Sequence, residues 1–205
     1  MFKIYRAENI AVKIIKLSEN WDLAFEKAKK GLLSDGVILY PTDTLYGIGG
    51  NALKKNVVER IRKVKRREGK KPLSTAVGSL SMLLHFFEVS DEQMGYLTRY
   101  LPGPYTFLLK PKKPMPVSEG LVGVRVPEHI FTTRLIREVG FPIVSTSANM
   151  SGEPPPTRVE EIKKEILEKV DLVIDAGPTK YKEGSTVVDL LNKKIVRRGA
   201  GGFEF

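Results

Sequence analysis

The chain has 205 residues, 41% of them hydrophobic, with a net charge of +10, two histidines and no cysteine. That apolar content excludes a disordered chain, and no apolar run approaches the about 18–20 residues of a membrane helix. The absence of cysteine excludes disulfides, thiolate nucleophiles and cysteine-held zinc, and two histidines cannot build a histidine-rich metal site.

Residues 1–15 alternate charged and apolar types and lack a secretory core, so a cytoplasmic protein is expected, with residues 1–205 forming a single domain. Trp21, Ala24, Phe25, Ala28 and Leu32 fall at helical spacing and Gly36 follows, which predicts a helix and then a buried strand over Gly36 to Tyr40. Asn56 with Glu59 reads as a capping box opening a helix with the apolar stripe Val57, Ile61 and Val64. Leu73 to Val77 reads as a strand. Helices follow over about 80–87 and 91–101, the second opened by Ser90 with Gln93 and stopped by Pro102-Gly103-Pro104. Tyr105 to Lys110 and Val122 to Val126 read as strands, Phe131, Leu135 and Val139 as a helix ended by Gly140, and Ile143 to Ser145 as a strand. Thr157 with Glu160 is expected to cap a helix bearing Val159, Ile162 and Ile166. Strands at Leu172 to Asp175, Thr186 to Leu190 and Ile195 to Arg197 complete the pattern. Helices between strands, with a hairpin-like C-terminus, predict an α/β fold with a mixed sheet.

The positive charge is concentrated. Residues Lys54 to Lys71 hold ten lysines and arginines against two glutamates, a density that attracts polyanions such as nucleotide phosphates or RNA. Four loops are richer in polar, glycine and proline residues than simple connections need. The first is Pro41-Thr42-Asp43-Thr44-Leu45-Tyr46-Gly47-Ile48-Gly49-Gly50-Asn51-Ala52. It contains G-x-G-x-x-A, but Thr-Asp-Thr-Leu-Tyr intervenes before the first glycine, and no helix opens there, so a dinucleotide fingerprint is rejected. The hydroxyls of Thr42 and Thr44 are instead expected at a strand end, with the glycines admitting a ligand close to the backbone. The second loop runs from Lys65 to Leu73, where lysines and arginines converge at the Gly69 turn in a manner suited to a triphosphate. The third is Ser145-Thr146-Ser147-Ala148-Asn149-Met150-Ser151-Gly152. Its Ser147 lacks the glycine-flanked elbow and triad context of a nucleophile. The fourth pairs Gly184-Ser185-Thr186 with Arg197-Arg198-Gly199. Arg125, a charge inside an apolar strand, must be paired or bind an anion.

The stretches PTDTLYGIGGNA, K-x-R before KPL, PGPYTFLLK, GVRVPEH, STSANMSG, GSTVVDL and VRRGA, in that order from Pro41 to Gly199, resemble the YrdC-like family of threonylcarbamoyl-AMP synthases. The resemblance implies a twisted mixed sheet flanked by helices around a concave, basic cavity. It implies a phosphate-binding and catalytic tetrad at Lys65, Arg67, Ser147 and Asn149, further nucleotide contacts at Lys71 and Arg197, and a threonine pocket at Thr42, Arg125 and Ser185. It implies ATP with Mg²⁺, L-threonine and bicarbonate as reactants, no metal held by the protein itself, and a downstream threonylcarbamoyl-transferase complex acting on tRNA. Some relatives carry a histidine where this chain has Ser74-Thr75-Ala76, and some carry an additional C-terminal domain, so this chain corresponds to the catalytic part. A non-catalytic RNA-binding module using the basic face is the alternative, and a nucleotide sensor without turnover a third reading. Neither needs the converging polar loops, and no base-stacking aromatic motif is evident.

Overall fold

A computed structural model describes residues 13–66 and 71–205. In chain order the elements are β1 (Lys13–Lys16), α1 (Trp21–Leu33), β2 (Ile38–Tyr40), β3 (Gly47–Gly49), α2 (Lys55–Val64), β4 (Thr75–Ala76), α3 (Leu80–Phe86), β5 (Phe87–Glu88) and α4 (Asp91–Tyr100). These are followed by β6 (Tyr105–Pro111), β7 (Val122–Arg125), α5 (Ile130–Val139), β8 (Ile143–Val144), β9 (Thr146–Ser147), α6 (Lys164–Leu167), β10 (Leu172–Asp175), β11 (Thr186–Asp189) and β12 (Lys194–Arg197).

The strands form two mixed sheets. One has the order β1-β10-β2-β3-β9, and the other β12-β11-β6-β7-β4-β8 with β5 paired to β6. Within the first, β1, β10 and β2 are parallel, whereas β3 is antiparallel to both β2 and β9. The sheets are spliced by residues 143–147. β8 pairs with β4 of one sheet, β9 pairs with β3 of the other, and the Val144 amide donates to the Gly50 carbonyl at 2.8 Å. The mixed α/β architecture expected from the sequence is therefore present.

Both faces of the first sheet are buried, and strand alternation divides its residues between two cores. Ile38, Tyr40, Leu172 and Ile174 pack with Phe25, Phe131 and Leu135 of α1 and α5. Val37, Leu39, Ile48 and Val173 face the larger core, which includes the Val57, Val58, Ile61 and Val64 stripe of α2. Asn20 caps α1 by accepting from the Leu23 amide at 2.9 Å, and α5 ends on Gly140 in the left-handed conformation at φ 78°. Ser90 and Gln93 form the expected capping box of α4.

Other expectations are corrected. The cap of α2 is Lys54, with no side-chain bond, so the helix begins two residues earlier than expected and Asn56 lies inside it. The strand over Leu73 to Val77 contracts to Thr75–Ala76, since Leu73 donates instead to the Val117 carbonyl outside the ladder. Thr157 pairs with Glu161 rather than Glu160. Its amide donates to Glu161 Oε2 at 2.7 Å, and the expected continuous helix breaks into a single 3₁₀ turn, Val159–Glu161, and the short α6. The β3 glycines make room for a core ring rather than for a ligand alone. A Cβ on Gly49 would lie 2.5 Å from the Tyr40 ring, and one on Gly47 3.1 Å from it.

Tyr46 ties the first polar loop to the end of β10. Its hydroxyl donates to the Gly177 carbonyl at 2.7 Å and accepts from the Ala176 amide at 2.9 Å, and burial raises its pKa further above the ordinary phenol value. Removing the hydroxyl leaves two backbone groups short of a partner, which costs about 1–3 kcal/mol. Tyr46→Phe is therefore expected to lower the unfolding free energy by that amount, seen as a lower urea midpoint with an unchanged m-value; an unaltered midpoint would show that the hydroxyl bonds add nothing net.

Candidate active site

A cavity of about 520 Å³ opens where the ends of both sheets meet. Thr42 and Thr44 reach it from the β2–β3 connection, Thr106 from β6, Arg125 from the end of β7, Ser147 and Asn149 from β9 and its exit, and Ser185 and Arg197 from the β11 and β12 ends. Its lining includes three arginines, Arg125, Arg197 and Arg198, and two glutamates, Glu153 and Glu183.

The Ser147–Asn149 wall is built by a buried lysine. Lys65, 3% exposed at the C-terminal end of α2, donates to the Ser147 carbonyl, to the Asn149 carbonyl at 2.8 Å and to Asn149 Oδ1 at 3.3 Å. Ser147 Oγ donates to the same Oδ1 at 2.5 Å, and Asn149 Nδ2 donates to the Glu153 carbonyl. The loop amides of Ala148 and Ser151 donate to the Tyr46 and Lys65 carbonyls. Three of the four tetrad residues, Lys65, Ser147 and Asn149, thus form one hydrogen-bonded unit. The fourth, Arg67, lies outside the described residues.

The opposite wall is cationic. Arg125 is buried at the end of β7, where Nη1 donates to Thr44 Oγ1 at 2.7 Å and Nη2 to Asp43 Oδ1 at 2.5 Å. Thr42 Oγ1 accepts from the Thr44 and Leu45 amides and donates to the Leu45 carbonyl, so its hydroxyl shapes the turn while lining the cavity. Ser185 Oγ and Thr106 Oγ1 are hydrogen-bonded at 2.7 Å, and Arg197 Nη2 donates to the Ser185 carbonyl at 2.8 Å. Burial, and after it the charge of Arg125, lowers the Arg197 pKa. An anion placed between the two guanidiniums would relieve both penalties.

The expected threonine-pocket residues Thr42, Arg125 and Ser185 therefore share one cavity with Ser147, Asn149 and Arg197. Lys71 is exposed and does not line it. Much of the basic cluster has structural work. Arg60 forms a bidentate pair with Asp171, Arg62 donates to the Lys71 and Val117 carbonyls, and Arg66 pairs with Glu165. Sequence reasoning assigned no role to Asp43 or Thr106. The signal for Asp43 was present, since a buried arginine needs an acceptor and Asp43 is the sole carboxylate of the PTDT loop. Thr106 is one buried threonine of β6 and carried no such signal.

A polar cavity at the strand ends of a mixed α/β fold defines a small-molecule-binding class of protein. The family model for the Sua5, YciO and YrdC proteins, described as "Telomere recombination", matches residues 30–199. The chain belongs to this family. A Methanocaldococcus jannaschii protein provisionally named a threonylcarbamoyl-AMP synthase is 39% identical over 193 residues, 92% of this chain and 91% of that protein. The Pyrococcus abyssi threonylcarbamoyl-AMP synthase is 33% identical over 94% of this chain, and the match spans only 58% of its own length. The structure of that archaeal Sua5 with L-threonine superposes with a TM-score of 0.80 at 32% identity, covering 87% of this chain and 54% of that one. Escherichia coli YciO superposes with a TM-score of 0.84 at 28% identity, covering 93% and 97%.

Because the Lys65 ammonium satisfies loop carbonyls, Lys65→Met is expected to loosen the loop while keeping the apolar stem. Amide exchange over residues 147–153 should accelerate about tenfold or more, read by hydrogen–deuterium exchange mass spectrometry. Unchanged exchange would mean that the loop holds its shape without the lysine.

Proposed function

We propose that this chain is the catalytic domain of an L-threonylcarbamoyladenylate synthase, forming threonylcarbamoyl-AMP and pyrophosphate from L-threonine, bicarbonate and ATP for threonylcarbamoyladenosine synthesis on tRNA. The observation that carries this reading is the shared cavity, which sets a hydroxyl-rich loop beside the buried Arg125 and the guanidiniums of Arg197 and Arg198 in a space of about 520 Å³. That volume is within the range of small-molecule sites. The names of the relatives and the threonine complex of the Pyrococcus protein support the same substrates.

The chemistry asks for alignment and charge neutralisation rather than for a protein nucleophile. The amine of threonine combines with carbon dioxide derived from bicarbonate to give a carbamate. A carbamate oxygen then attacks the α-phosphorus of ATP, and the bond to the β-phosphate oxygen breaks to release pyrophosphate. In this assignment Arg125 holds the threonine carboxylate, and Thr42 and Ser185 orient its other polar groups. Lys65, Arg67, Ser147 and Asn149 hold the phosphates, with Arg197 and Lys71 as further nucleotide contacts. Lys65 would reach an anion only by exchanging one of its loop carbonyls, so its first task is to build the loop.

Mg²⁺ enters this scheme on ATP. Among the described residues no group of three or more histidines, aspartates or glutamates could hold a metal. The oxygens of Ser147, Asn149 and Glu153 on the cavity wall are nevertheless of the class that accepts a hydrated Mg²⁺. When bound, the ion would neutralise part of the triphosphate charge.

A separate broad groove between α2 and the β6–β7 connection is bordered by Lys55, Lys63, Lys110 and Lys112 together with Glu59, Glu88 and Glu119, Lys110 being paired with Glu88, and its excess of positive charge would admit a polyanion such as tRNA. The receiving partner in this reading is a threonylcarbamoyl-transferase complex. No helix among the described residues is long and apolar enough to cross a membrane, and we place the protein in the cytoplasm.

The deciding experiment measures pyrophosphate release with ATP, bicarbonate and threonine. Release that depends on threonine is expected, with at least about a tenfold loss in Arg67→Ala; release independent of threonine, or none, overturns the reading in favour of an RNA-binding or nucleotide-sensing protein. Arg125→Ala is expected to raise the threonine KM about tenfold or more while leaving the ATP dissociation constant within about twofold. An equal loss of both affinities would remove Arg125 from the threonine pocket.

A further inference from the structure

Arg125 is held by Thr44, which lines the cavity, and by Asp43, which lies behind it. Asp43 does not line the cavity, and its side chain is fully buried against Arg125. Its backbone is also fixed, because its carbonyl accepts from the Tyr181 amide at 2.9 Å. Thr132 Oγ1 of α5 donates to the neighbouring Pro41 carbonyl at 2.6 Å and so clamps the start of the loop. Thr42 Oγ1 in turn accepts from the Thr44 amide at 3.1 Å, which sets the turn that carries Asp43. The surroundings are dry. Tyr40, in the field of both charges, is pushed up to about 12 mainly by its burial, and burial likewise lowers His129 against the opposing pull of Asp43.

The geometry around the guanidinium is incomplete on the protein side. Nη1 is given to Thr44 Oγ1, and Nη2 to Asp43 Oδ1 with a longer contact to the Gly103 carbonyl at 3.5 Å. The Nε–H has no partner, and neither has Asp43 Oδ2, although both are buried. Buried polar atoms without partners are rare in a folded protein and mark a site that is completed by something else or held under constraint. A buried ion pair is weak evidence for stability, because desolvation consumes most of the attraction. It is strong on orientation, because a planar guanidinium gripped at both terminal nitrogens cannot rotate.

We propose that Asp43, together with Thr44, positions Arg125, so that the guanidinium meets the carboxylate of an amino-acid substrate without having to reorganise. Asp43 acts here through Arg125 and does not touch the substrate. This inference rests on the assignment of Arg125 to the amino-acid pocket, and it adds a determinant of affinity for amino acids that sits behind the cavity wall. Pre-organisation of this kind lowers the cost of binding rather than adding a contact. Its loss therefore falls on the substrate that Arg125 holds and spares the nucleotide.

The test compares wild type, Asp43→Asn, Asp43→Glu and Thr44→Val, with thermal unfolding as the check on folding. Threonine KM, kcat at saturating threonine and the ATP dissociation constant are measured for each. Asp43→Asn removes the charge, Asp43→Glu keeps it but displaces the carboxylate, and Thr44→Val removes the second acceptor. The expected result is a threonine KM raised about tenfold in Asp43→Asn and about threefold or more in the other two. Saturating kcat and ATP affinity should stay within about twofold of wild type. A folded Asp43 variant with the wild-type threonine KM overturns the inference; if neither Asp43 variant folds, a wild-type threonine KM in Thr44→Val overturns it. Absence of threonine-dependent turnover in the wild-type protein defeats instead the underlying assignment of the substrate, so the two failures are distinguishable.

Discussion

The segment 143–149 hydrogen-bonds to both sheets, and the cavity exists because it does. β8 is antiparallel to β4 in one sheet, and after a single intervening residue β9 is antiparallel to β3 in the other. Ser145 between them donates its amide to the Ser74 carbonyl at 2.7 Å. A chain that must satisfy two ladders in five residues has little freedom left, because each unpaired buried amide would carry the full desolvation penalty. The residues leaving this splice are thereby fixed at the mouth between the sheets. Ser147 and Asn149 are there by backbone geometry, and Lys65 completes the arrangement by absorbing carbonyls that the splice leaves over.

The same logic explains how cations are held within the fold. Arg125 ends β7, next to β4 in a parallel ladder, so its position follows from strand register. Its charge is then tolerated through Asp43, which projects from a different connection. Arg197 ends β12 and is held against the Ser185 carbonyl across the β11–β12 pair. Arg125 is buried and Arg197 is more exposed, yet partial burial and then the charge of Arg125 lower the Arg197 pKa, which is an electrostatic cost. An anion bound beside both guanidiniums would offset that cost.

The large elements were legible in the sequence because their signals are local. The α1 stripe, the Ser90–Gln93 box and Gly140 are each read from neighbours within a turn, and the structure has all three. What failed was set by distant partners. Asn56 looked like a cap, but the burial of Val57 and Val58 against the sheet decides where α2 begins. Gly49 looked like a concession to a ligand, yet the space belongs to the Tyr40 ring, which reaches it only across the β2–β3 pair. The candidate site divides in the same way. Ser147, Asn149, Arg125 and Ser185 stood out as polar residues at strand ends, and they do converge. The role of Lys65 behind the loop, and the partners of Arg60, Arg62 and Arg66, depend on contacts from nine to 111 residues away that no local pattern encodes.

The polar groups of the cavity are already bonded to one another, and this decides how it can bind. Thr42 with Thr44, Thr106 with Ser185, and Ser147 with Asn149 each form a hydroxyl-centred pair. A ligand oxygen that engages any of these must displace or share an existing bond, so the net gain per contact is the difference between two hydrogen bonds and is small. Affinity must then come from the charged groups, where anion and guanidinium meet in a desolvated setting. The hydroxyl pairs contribute discrimination instead. A ligand that presents its polar atoms in the matching places exchanges bonds at little cost, whereas one that lacks them breaks pairs without replacement. In the proposed reading, a cavity made this way would bind through its arginines and select through its serines and threonines. That division follows from the placement of hydroxyls in pairs and of guanidiniums against fixed acceptors.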